Sequence, residues 1–249
     1  MKALRAIIIF LVFIALWQLI IILFKLSAYI LPSPLLVAKS LIANIGLIAK
    51  EAIPTIFEAF IGFICSIILG GLAAISLTYF RPARVWVLPI LLLSQALPTF
   101  AIAPLFVVWF GYAEASKIAT TILMLFFPIT SAFYDGLIHT PAGFLDLAKT
   151  MNASKWQTLI HIQIPAATPS LGTGLRVAAT FAPMGAVIGE WVGSVGGLGF
   201  LILQANARMQ IDLMFAVLIV LILLTLLWYY TVDYLVNRLT SWNKKTYAY

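Results

Sequence analysis

Residues that could carry acid–base or ligand chemistry are few in this chain and lie far apart in the sequence. Glu58, Arg176 and Glu190 are the charged residues that fall within or beside long apolar stretches. His139 and His161 stand alone, without the H-E-x-x-H spacing of zinc hydrolases, and no G-x4-G-K-[ST] phosphate loop occurs. A membrane-embedded enzyme needs converging carboxylates or a nucleophile with its base. The sequence therefore predicts no catalytic residue, no metal site and no cofactor bound by this chain.

The elements that position these residues must be membrane helices. Of the 249 residues, 63% are hydrophobic and 9% are charged, with a mean hydropathy of +1.10. A helix that crosses a bilayer needs about 20 apolar residues. Six stretches meet or approach this length: 6–24, 55–80, 85–110, 118–134, 172–189 and 213–232. The sequence predicts an all-α polytopic protein with about six transmembrane helices, surrounded by membrane lipid.

The net charge of +7 follows the positive-inside rule and not the pattern of a nucleic-acid-binding face. With a cytoplasmic N-terminus, ten of the basic residues fall inside and five outside. The outside five are Lys25, Lys39, Lys50, Lys117 and Arg208. This bias predicts that both termini and the polar segment 146–165 are cytoplasmic, and that the chain has no nucleic-acid partner.

The third apolar stretch carries Gln95, Pro98, Thr99 and Pro104. Each proline removes a backbone donor and clashes with the preceding turn, so the helix should bend or break. Broken helices at membrane depth occur where they are buried in protein or line a cavity. These four residues are therefore candidates to line a translocation path, although a merely kinked packing helix explains them equally well.

Arg176 and Glu190 are the other candidates for this path, since charges within a membrane usually serve a function. Each also has a simpler interpretation. Arg176 could extend its guanidinium to the membrane surface. Glu190 lies about 21 Å further along a helix, near its outer end, where the simpler interpretation is a solvated side chain beside a flexible outer turn at 193–199.

Small residues recur every four positions in the second stretch, at Gly62, Ser66 and Gly70. This spacing lets two helices approach closely in lipid. Packing within the chain is the favoured interpretation, and a dimer interface is the alternative.

The polar segment 146–165 predicts a helix–turn–helix. Thr140 and Pro141 suit a helix start, and Asn152 suits the left-handed residue that ends it. Ser154 with Gln157 forms a capping box that opens a second helix. We expect Pro165 to end that helix. Its apolar faces must rest on the spans or on a partner, and docking of a soluble protein is the economical explanation.

This segment resembles the cytoplasmic E-A-A-x3-G-x9-I-x-L-P loop of binding-protein-dependent ABC importer permeases. Asp146, Leu147 and Ala148 fall at E-A-A, Asn152 at the glycine, and 162–165 at I-x-L-P. Asp for Glu, Leu for Ala and Asn for Gly are departures, of which the first preserves charge and the last preserves the turn. The resemblance implies an ATPase-coupling loop whose residues are Asp146, Leu147, Ala148, Asn152, Ala153, Trp156, Ile162, Ile164 and Pro165.

Further motifs resemble the sulfonate, nitrate and taurine subgroup of these permeases. They are L-P-S-P at 31–34, L-P-T-F-A-I-A-P-L at 97–105, W-F-G at 109–111, S-K-I at 116–118, P-A-A at 165–167, G-L-R at 174–176, E-W at 190–191 and G-L-G at 197–199. The resemblance therefore runs from about residue 30 to the last span. Within this subgroup we expect the solute to be a sulfonate, a nitrate-like anion or a heteroaromatic vitamin precursor such as the thiamine pyrimidine.

The resemblance implies an ABC type I importer permease fold in the bacterial inner membrane. Expected partners are ATPase subunits that use the ATP, a periplasmic binding protein and a second permease copy in a homodimer. Segment 1–30 is then the N-terminal transmembrane helix, 31–54 a periplasmic segment, and 55–240 the permease domain with the coupling loop 135–168.

A secondary transporter is the main alternative, since broken helices and intramembrane charges suit it too. A secondary transporter should show internal repeats with interrupted segments in pairs, whereas this sequence shows one proline-broken stretch. A membrane-embedded enzyme is the other class, for which Glu58, Arg176 and Glu190 are the available groups.

Overall fold

The computed structural model describes the backbone of residues 2–243, and the side chains of this range except those of 2–7, 10, 81, 83, 87, 94–96 and 243. The regular elements of this part of the chain are all helices. They are α1 (Lys2–Phe24), α2 (Pro34–Ala43), α3 (Ile45–Tyr79), α4 (Arg81–Ala96), α5 (Thr99–Phe110), α6 (Glu114–Ile138), α7 (Ala142–Thr150), α8 (Lys155–Thr158), a π turn (Leu159–Gln163), α9 (Ile164–Gly193), α10 (Leu198–Ala207), α11 (Ile211–Leu239) and a 3-10 turn (Ser241–Asn243). The prediction of an all-α protein is confirmed.

Four helices are long and apolar enough to cross a membrane: Ile45–Tyr79, Glu114–Ile138, Lys155–Gly193 and Ile211–Leu239. They contain the predicted stretches 55–80 (except Phe80), 118–134, 172–189 and 213–232. The predicted stretch 6–24 lies within α1. Lys155–Gly193 has 39 residues, about 58 Å at 1.5 Å per residue, which exceeds the roughly 30 Å hydrocarbon core of a bilayer. Part of this helix must therefore project from the membrane.

The third apolar stretch is broken and not merely bent. Helix α4 ends at Ala96 and α5 begins at Thr99, while Leu97 and Pro98 are extended with ψ of 120° and 117°. The break falls where Pro98 lacks the backbone donor of a helix and restricts the residue before it to extended conformations. Pro104 lies inside α5. The predicted helix break is confirmed at Pro98.

The helices α3, α6 and α9 pack closely through small residues. A Cβ atom added at Gly62 of α3 would lie 2.5 Å from Thr121 of α6, and one at Gly70 would lie 2.9 Å from Thr130. On α9, a Cβ at Gly185 would lie 2.9 Å from the Cα of Thr121. The four-residue spacing of small residues therefore serves packing within the chain, which is the favoured of the two interpretations.

Helices α3 and α6 run parallel to each other and antiparallel to α9, which defines two ends of the molecule. One end holds the loop between α6 and α9, and we call it the loop end. There the last turns of α3 and α6 meet the start of the long α8–α9 helix in a buried apolar cluster of Ala74, Phe133, Leu137, Leu159 and Ala167. The opposite end, called the far end, holds the first turns of α3 and α6 and the last turns of α9.

Candidate coupling loop and buried charge cluster

The first helix of the polar loop begins one residue later than predicted. Helix α7 starts at Ala142, and Pro141 occupies the N-cap position without a capping side chain. The hydroxyl of Thr140 donates instead to the carbonyl oxygen of Leu137, at 3.0 Å. The prediction of Thr140 as the N-cap is wrong, because its hydroxyl bonds to the last turn of the preceding helix α6.

The turn after α7 has the predicted geometry. Asn152 has φ of 54°, in the left-handed region that ends many helices. The N–H of Asn152 donates to Lys149 O and that of Ala153 to Ala148 O, both at 2.9 Å, which is the Schellman pattern. These bonds satisfy carbonyls at the end of α7 and reverse the chain.

The predicted capping box is also present. The Ser154 N–H donates to Oε1 of Gln157 at 2.8 Å, and the Gln157 N–H donates to Oγ of Ser154 at 3.2 Å. This reciprocal pair satisfies two free donors at the start of α8.

Pro165 does not end the second helix, so the predicted stop is wrong. The chain continues from α8 through the π turn into α9, as one helical segment from Lys155 to Gly193. In the π turn the N–H of Ile164 donates to the carbonyl of Leu159, five residues back. A proline clashes with the carbonyl four residues before it in a regular helix, and the wider π turn relieves that clash. The second helix of the polar loop is thus continuous with a membrane-spanning helix.

The loop is anchored on its own spans by two residues and leaves other apolar residues uncovered. Ala148 and Leu159 are 2% and 1% exposed. Trp156 makes an edge contact with the ring of Tyr79 at 5.6 Å between centroids, yet remains half exposed. Met151 is 72% exposed. Other exposed apolar side chains of the loop are Phe144 and Leu147.

The remaining residues of the predicted coupling loop lie on or near this surface. Asp146 is exposed, and its Oδ1 lies 2.9 Å from Nζ of Lys149. Ile162 and Ile164 are half-buried in the π turn and at the start of α9, and Pro165 is exposed. The structure therefore brings all the predicted loop residues together on one projecting segment.

The predicted path residues are not gathered into one site. Pro98 is exposed at the break, Thr99 is half-buried at the start of α5, and Pro104 is exposed within α5. The side chain of Gln95 lies outside the described residues. Arg176 and Glu190 have partners on other helices, given below.

Arg176 ties α9 to α11. Its Nε donates to Oδ1 of Asp233 at 2.6 Å, and its Nη2 donates to Oδ1 of Asn237 at 2.7 Å. Arg176 and Asp233 are each roughly a quarter to a third exposed. The guanidinium therefore makes a polar link between α9 and α11.

Glu190 is buried at the far end, so the simpler interpretation of a solvated side chain is wrong. It is 1% exposed. Its Oε1 accepts from the Thr55 hydroxyl at 2.6 Å, and its Oε2 accepts from the N–H of Gly199 at 2.5 Å. The predicted outer turn at 193–199 is held in place by these donors, because the N–H of Leu198 also donates to Thr55 Oγ1 at 2.9 Å.

Glu58 and Lys117 complete what we call the buried charge cluster, defined as Thr55, Glu58, Lys117 and Glu190. Nζ of Lys117 lies 3.0 Å from Oε1 of Glu58, and the Glu58 carboxyl also neighbours Glu190. Lys117 is 6% exposed, so it is not the solvated outside lysine that the charge count assumes. The cluster joins α3, α6 and α9.

A sequence signal for this cluster exists. Glu58 stands in the same four-residue row as Gly62, Ser66 and Gly70, and residues four apart lie on one face of a helix. A carboxylate on the face that packs must be paired inside the protein, because an isolated buried charge is costly. Lys117 likewise lies four residues before Thr121, which contacts Gly62.

The chain matches the sequence model of a known family. That family is described as the binding-protein-dependent transport system inner membrane component, and its model matches residues 66–241, well over half of the chain. The chain belongs to this family. It is the permease subunit of an ABC importer, a multi-pass inner-membrane protein, and it is not an enzyme.

Two relatives of this permease show how far the similarity extends. A probable ABC transporter permease protein of Haemophilus influenzae is 45% identical over 227 residues, which cover 91% of this chain and 93% of the relative. The formylaminopyrimidine transport permease protein ThiX of Halalkalibacterium halodurans is 37% identical over 218 residues, 87% of each chain.

The fold of the permease is also similar to a solved structure. A chain of the inward-facing MetNI methionine ABC transporter matches with a TM-score of 0.63 and 19% identity, over 80% of this chain and 98% of that one. The predicted ABC importer permease fold is confirmed. The family membership sets aside the secondary transporter and the membrane-embedded enzyme.

Proposed function

We propose that the loop 135–168 of this permease is the coupling site for a separate ATPase subunit. The observation that carries the proposal is the uneven burial of the loop. Ala148 and Leu159 fix it to the spans, while Phe144, Leu147 and Met151 stay exposed. Exposed apolar residues on a projecting, rigidly held segment are typical of a protein-binding surface. Docking there would bury them.

The continuity of the loop with α9 supplies the coupling mechanism. The helical segment Lys155–Gly193 runs from the loop to Glu190 at the far end without a break. A push on the loop by an ATPase subunit would therefore be carried along one continuous helical segment about 58 Å long. ATP is bound and hydrolysed by that partner, and this chain holds no cofactor.

We propose the following arrangement for the rest of the importer. Segment 1–30 is an N-terminal transmembrane helix, 31–54 faces the periplasm, and 55–240 is the permease domain. A periplasmic binding protein delivers solute at the far end, and a second copy of this chain completes the path in a homodimer. Helix α11 ends on the side of the loop, which supports a C-terminus on the same side of the membrane as the coupling loop.

The solute path in this proposal passes the broken helix α4–α5, with Gln95, Pro98, Thr99 and Pro104 beside it. Arg176 and Glu190 act on the path through the helices they join. The solute is a heteroaromatic vitamin precursor such as the thiamine pyrimidine. The relative named for formylaminopyrimidine transport favours it over a sulfonate or a nitrate-like anion.

The coupling proposal is tested with Met151→Arg, which places a charge on the exposed apolar surface. The variant should fold normally and reach the membrane, because Met151 is 72% exposed. It should lose co-purification with the ATPase subunit. The matched control is Ile30→Arg, an equally exposed apolar residue in the segment between α1 and α2. Retained ATPase binding by Met151→Arg, or equal loss in the control, would refute the assignment.

A separate experiment tests the substrate. Uptake of radiolabelled formylaminopyrimidine, taurine and nitrate by cells that express the whole importer should show accumulation of the pyrimidine alone. Accumulation of taurine or nitrate instead would reject the pyrimidine and leave the coupling proposal intact.

A further inference from the structure

A basic cavity lies at the loop end, between the polar loop and the ends of α3, α4 and α6. Its volume is about 690 Å³. Arg84 of α4, Lys149 of α7 and Lys155 of α8 line it. Hydroxyl and amide side chains add further hydrogen-bonding groups, from Thr78, Tyr79, Tyr134, Thr158 and Gln163. The described residues that line the cavity include no carboxylate.

The cations of this basic cavity are only partly neutralised. Nε of Arg84 donates to the carbonyl of Leu77 at 2.9 Å, and its guanidinium lies 6.0 Å from the ring centroid of Tyr134. These contacts orient the guanidinium without cancelling its charge. Lys149 pairs with Asp146 at 2.9 Å on the surface. Within the described contacts, Arg84 and Lys155 face no carboxylate, so the cavity keeps a positive charge.

An apolar groove adjoins the basic cavity. It has a volume of about 600 Å³ and shares Tyr134 and Ile138 with the cavity. Leu88 and Leu92 of α4 line it opposite α6 and α9. The acidic residue at its rim is Asp135, whose Oδ1 lies 3.0 Å from Nδ1 of His139. The basic cavity and the apolar groove are thus neighbours that share two lining residues, Tyr134 and Ile138.

We propose that this pair of cavities binds one anionic phospholipid, with the headgroup phosphate in the basic cavity and an acyl chain in the apolar groove. Arginine and lysine bind phosphate oxygens by charge-assisted hydrogen bonds. Basic pockets between transmembrane helices near a membrane surface bind acidic lipid headgroups. A free phosphate would use the cavity alone and leave the groove without a role. The cavity is lined by residues of this chain alone, so lipid binding can be measured in the absence of an ATPase subunit.

The bound lipid would join two parts of the permease that have few other contacts. Its headgroup touches the polar loop through Lys149 and Lys155, and it touches α4 through Arg84. Helix α4 belongs to the broken segment, which ends at Ala96 before the extended Leu97 and Pro98. An anionic lipid would therefore hold the first half of the broken helix against the loop.

The test measures lipid retained by the delipidated full-length chain in neutral detergent, by native mass spectrometry. The probes are dioleoyl phosphatidylglycerol, dioleoyl phosphatidylcholine and free glycerol 3-phosphate. We expect the chain to retain phosphatidylglycerol at least about tenfold better than phosphatidylcholine. The triple variant Arg84→Gln, Lys149→Gln, Lys155→Gln should abolish that preference. If the triple variant fails to fold, Arg84→Gln and Lys155→Gln singly should each weaken retention about fivefold, as expected for one cation near an acidic lipid.

The matched control removes the same charge at the far end, with Lys25→Gln, Lys39→Gln and Lys50→Gln. All three lysines are exposed. Lys50 lies 28 residues before Thr78 on α3, about 42 Å from the cavity. This control should keep the preference for phosphatidylglycerol. An unchanged preference in the cavity variants, or equal loss in the control, would overturn the site. Equally tight binding of glycerol 3-phosphate would show a site for soluble anions and overturn the lipid assignment.

Discussion

Replacing Lys117 by methionine removes the ammonium group that faces Glu58 inside the protein. Nζ of Lys117 lies 3.0 Å from Oε1 of Glu58, and the two side chains are 7% and 0% exposed. Methionine fills a similar volume with an unbranched apolar chain. The substitution therefore leaves the Glu58 carboxyl buried beside Glu190 without its cation, while changing the packing little.

The expected cost follows from the burial of the pair. Removing one partner of a buried ion pair costs about 3–5 kcal/mol, because the remaining charge is left without compensation. For a chain of this size each kcal/mol lowers the melting temperature by about 2–4 °C, so a fall of roughly 6–20 °C is expected. The double variant Lys117→Met, Glu58→Gln should recover most of this loss, because both charges are then gone. Glu190 keeps its bonds from Thr55 and Gly199.

The assay is thermal unfolding of the detergent-solubilised chain, followed by size-exclusion chromatography of the soluble fraction. Lys39→Met is the control, since Lys39 is exposed on α2 and its loss should change stability by no more than about 0.5 kcal/mol. A melting temperature of Lys117→Met equal to that of Lys39→Met would refute the reasoning. So would a double variant that is no more stable than Lys117→Met alone.

Three further predictions use the same assay or a related one. Gly70→Ala should destabilise the chain by about 1–3 kcal/mol, because the new Cβ would lie 2.9 Å from Thr130. In the control Gly71→Ala the new Cβ meets nothing within 4 Å, so this change should be neutral or stabilising. Thr55→Val should cost about 1–3 kcal/mol through lost bonds to Glu190 and Leu198 N–H, with Thr55→Ser as the variant that restores them. Asn152→Val should speed hydrogen exchange in α7, because a β-branched residue strains at φ of 54°, and unchanged exchange would contradict that role of the turn.

The parts of the structure that depend on near neighbours in sequence could be predicted. The left-handed turn at Asn152 and the capping box of Ser154 and Gln157 are set by residues within three or four positions. The break at Pro98 follows from the covalent structure of proline. In each case the signal and the structure it determines lie on the same short segment.

The parts that depend on distant contacts could not be predicted. The buried carboxyl of Glu190 accepts a hydrogen bond from Thr55, which is 135 residues away. Nothing beside Glu190 in the sequence shows this partner. By its position in the sequence Lys117 is counted among the outside lysines, although its ammonium group pairs with Glu58 of another helix. Pro165 does not end the helix, because the preceding π turn relieves the clash of the proline ring with the backbone. That turn lacks a local sequence signature.

The central claim is that the loop 135–168 meets the ATPase subunit, and cross-linking tests it most directly. A single cysteine at Met151, in a Cys65→Ser background, is treated with a short thiol-reactive cross-linker in membranes that contain the whole importer. We expect a product that joins this chain to the ATPase subunit, and none from a cysteine placed at Ile30. No product at Met151, or an equal yield at Ile30, would contradict it.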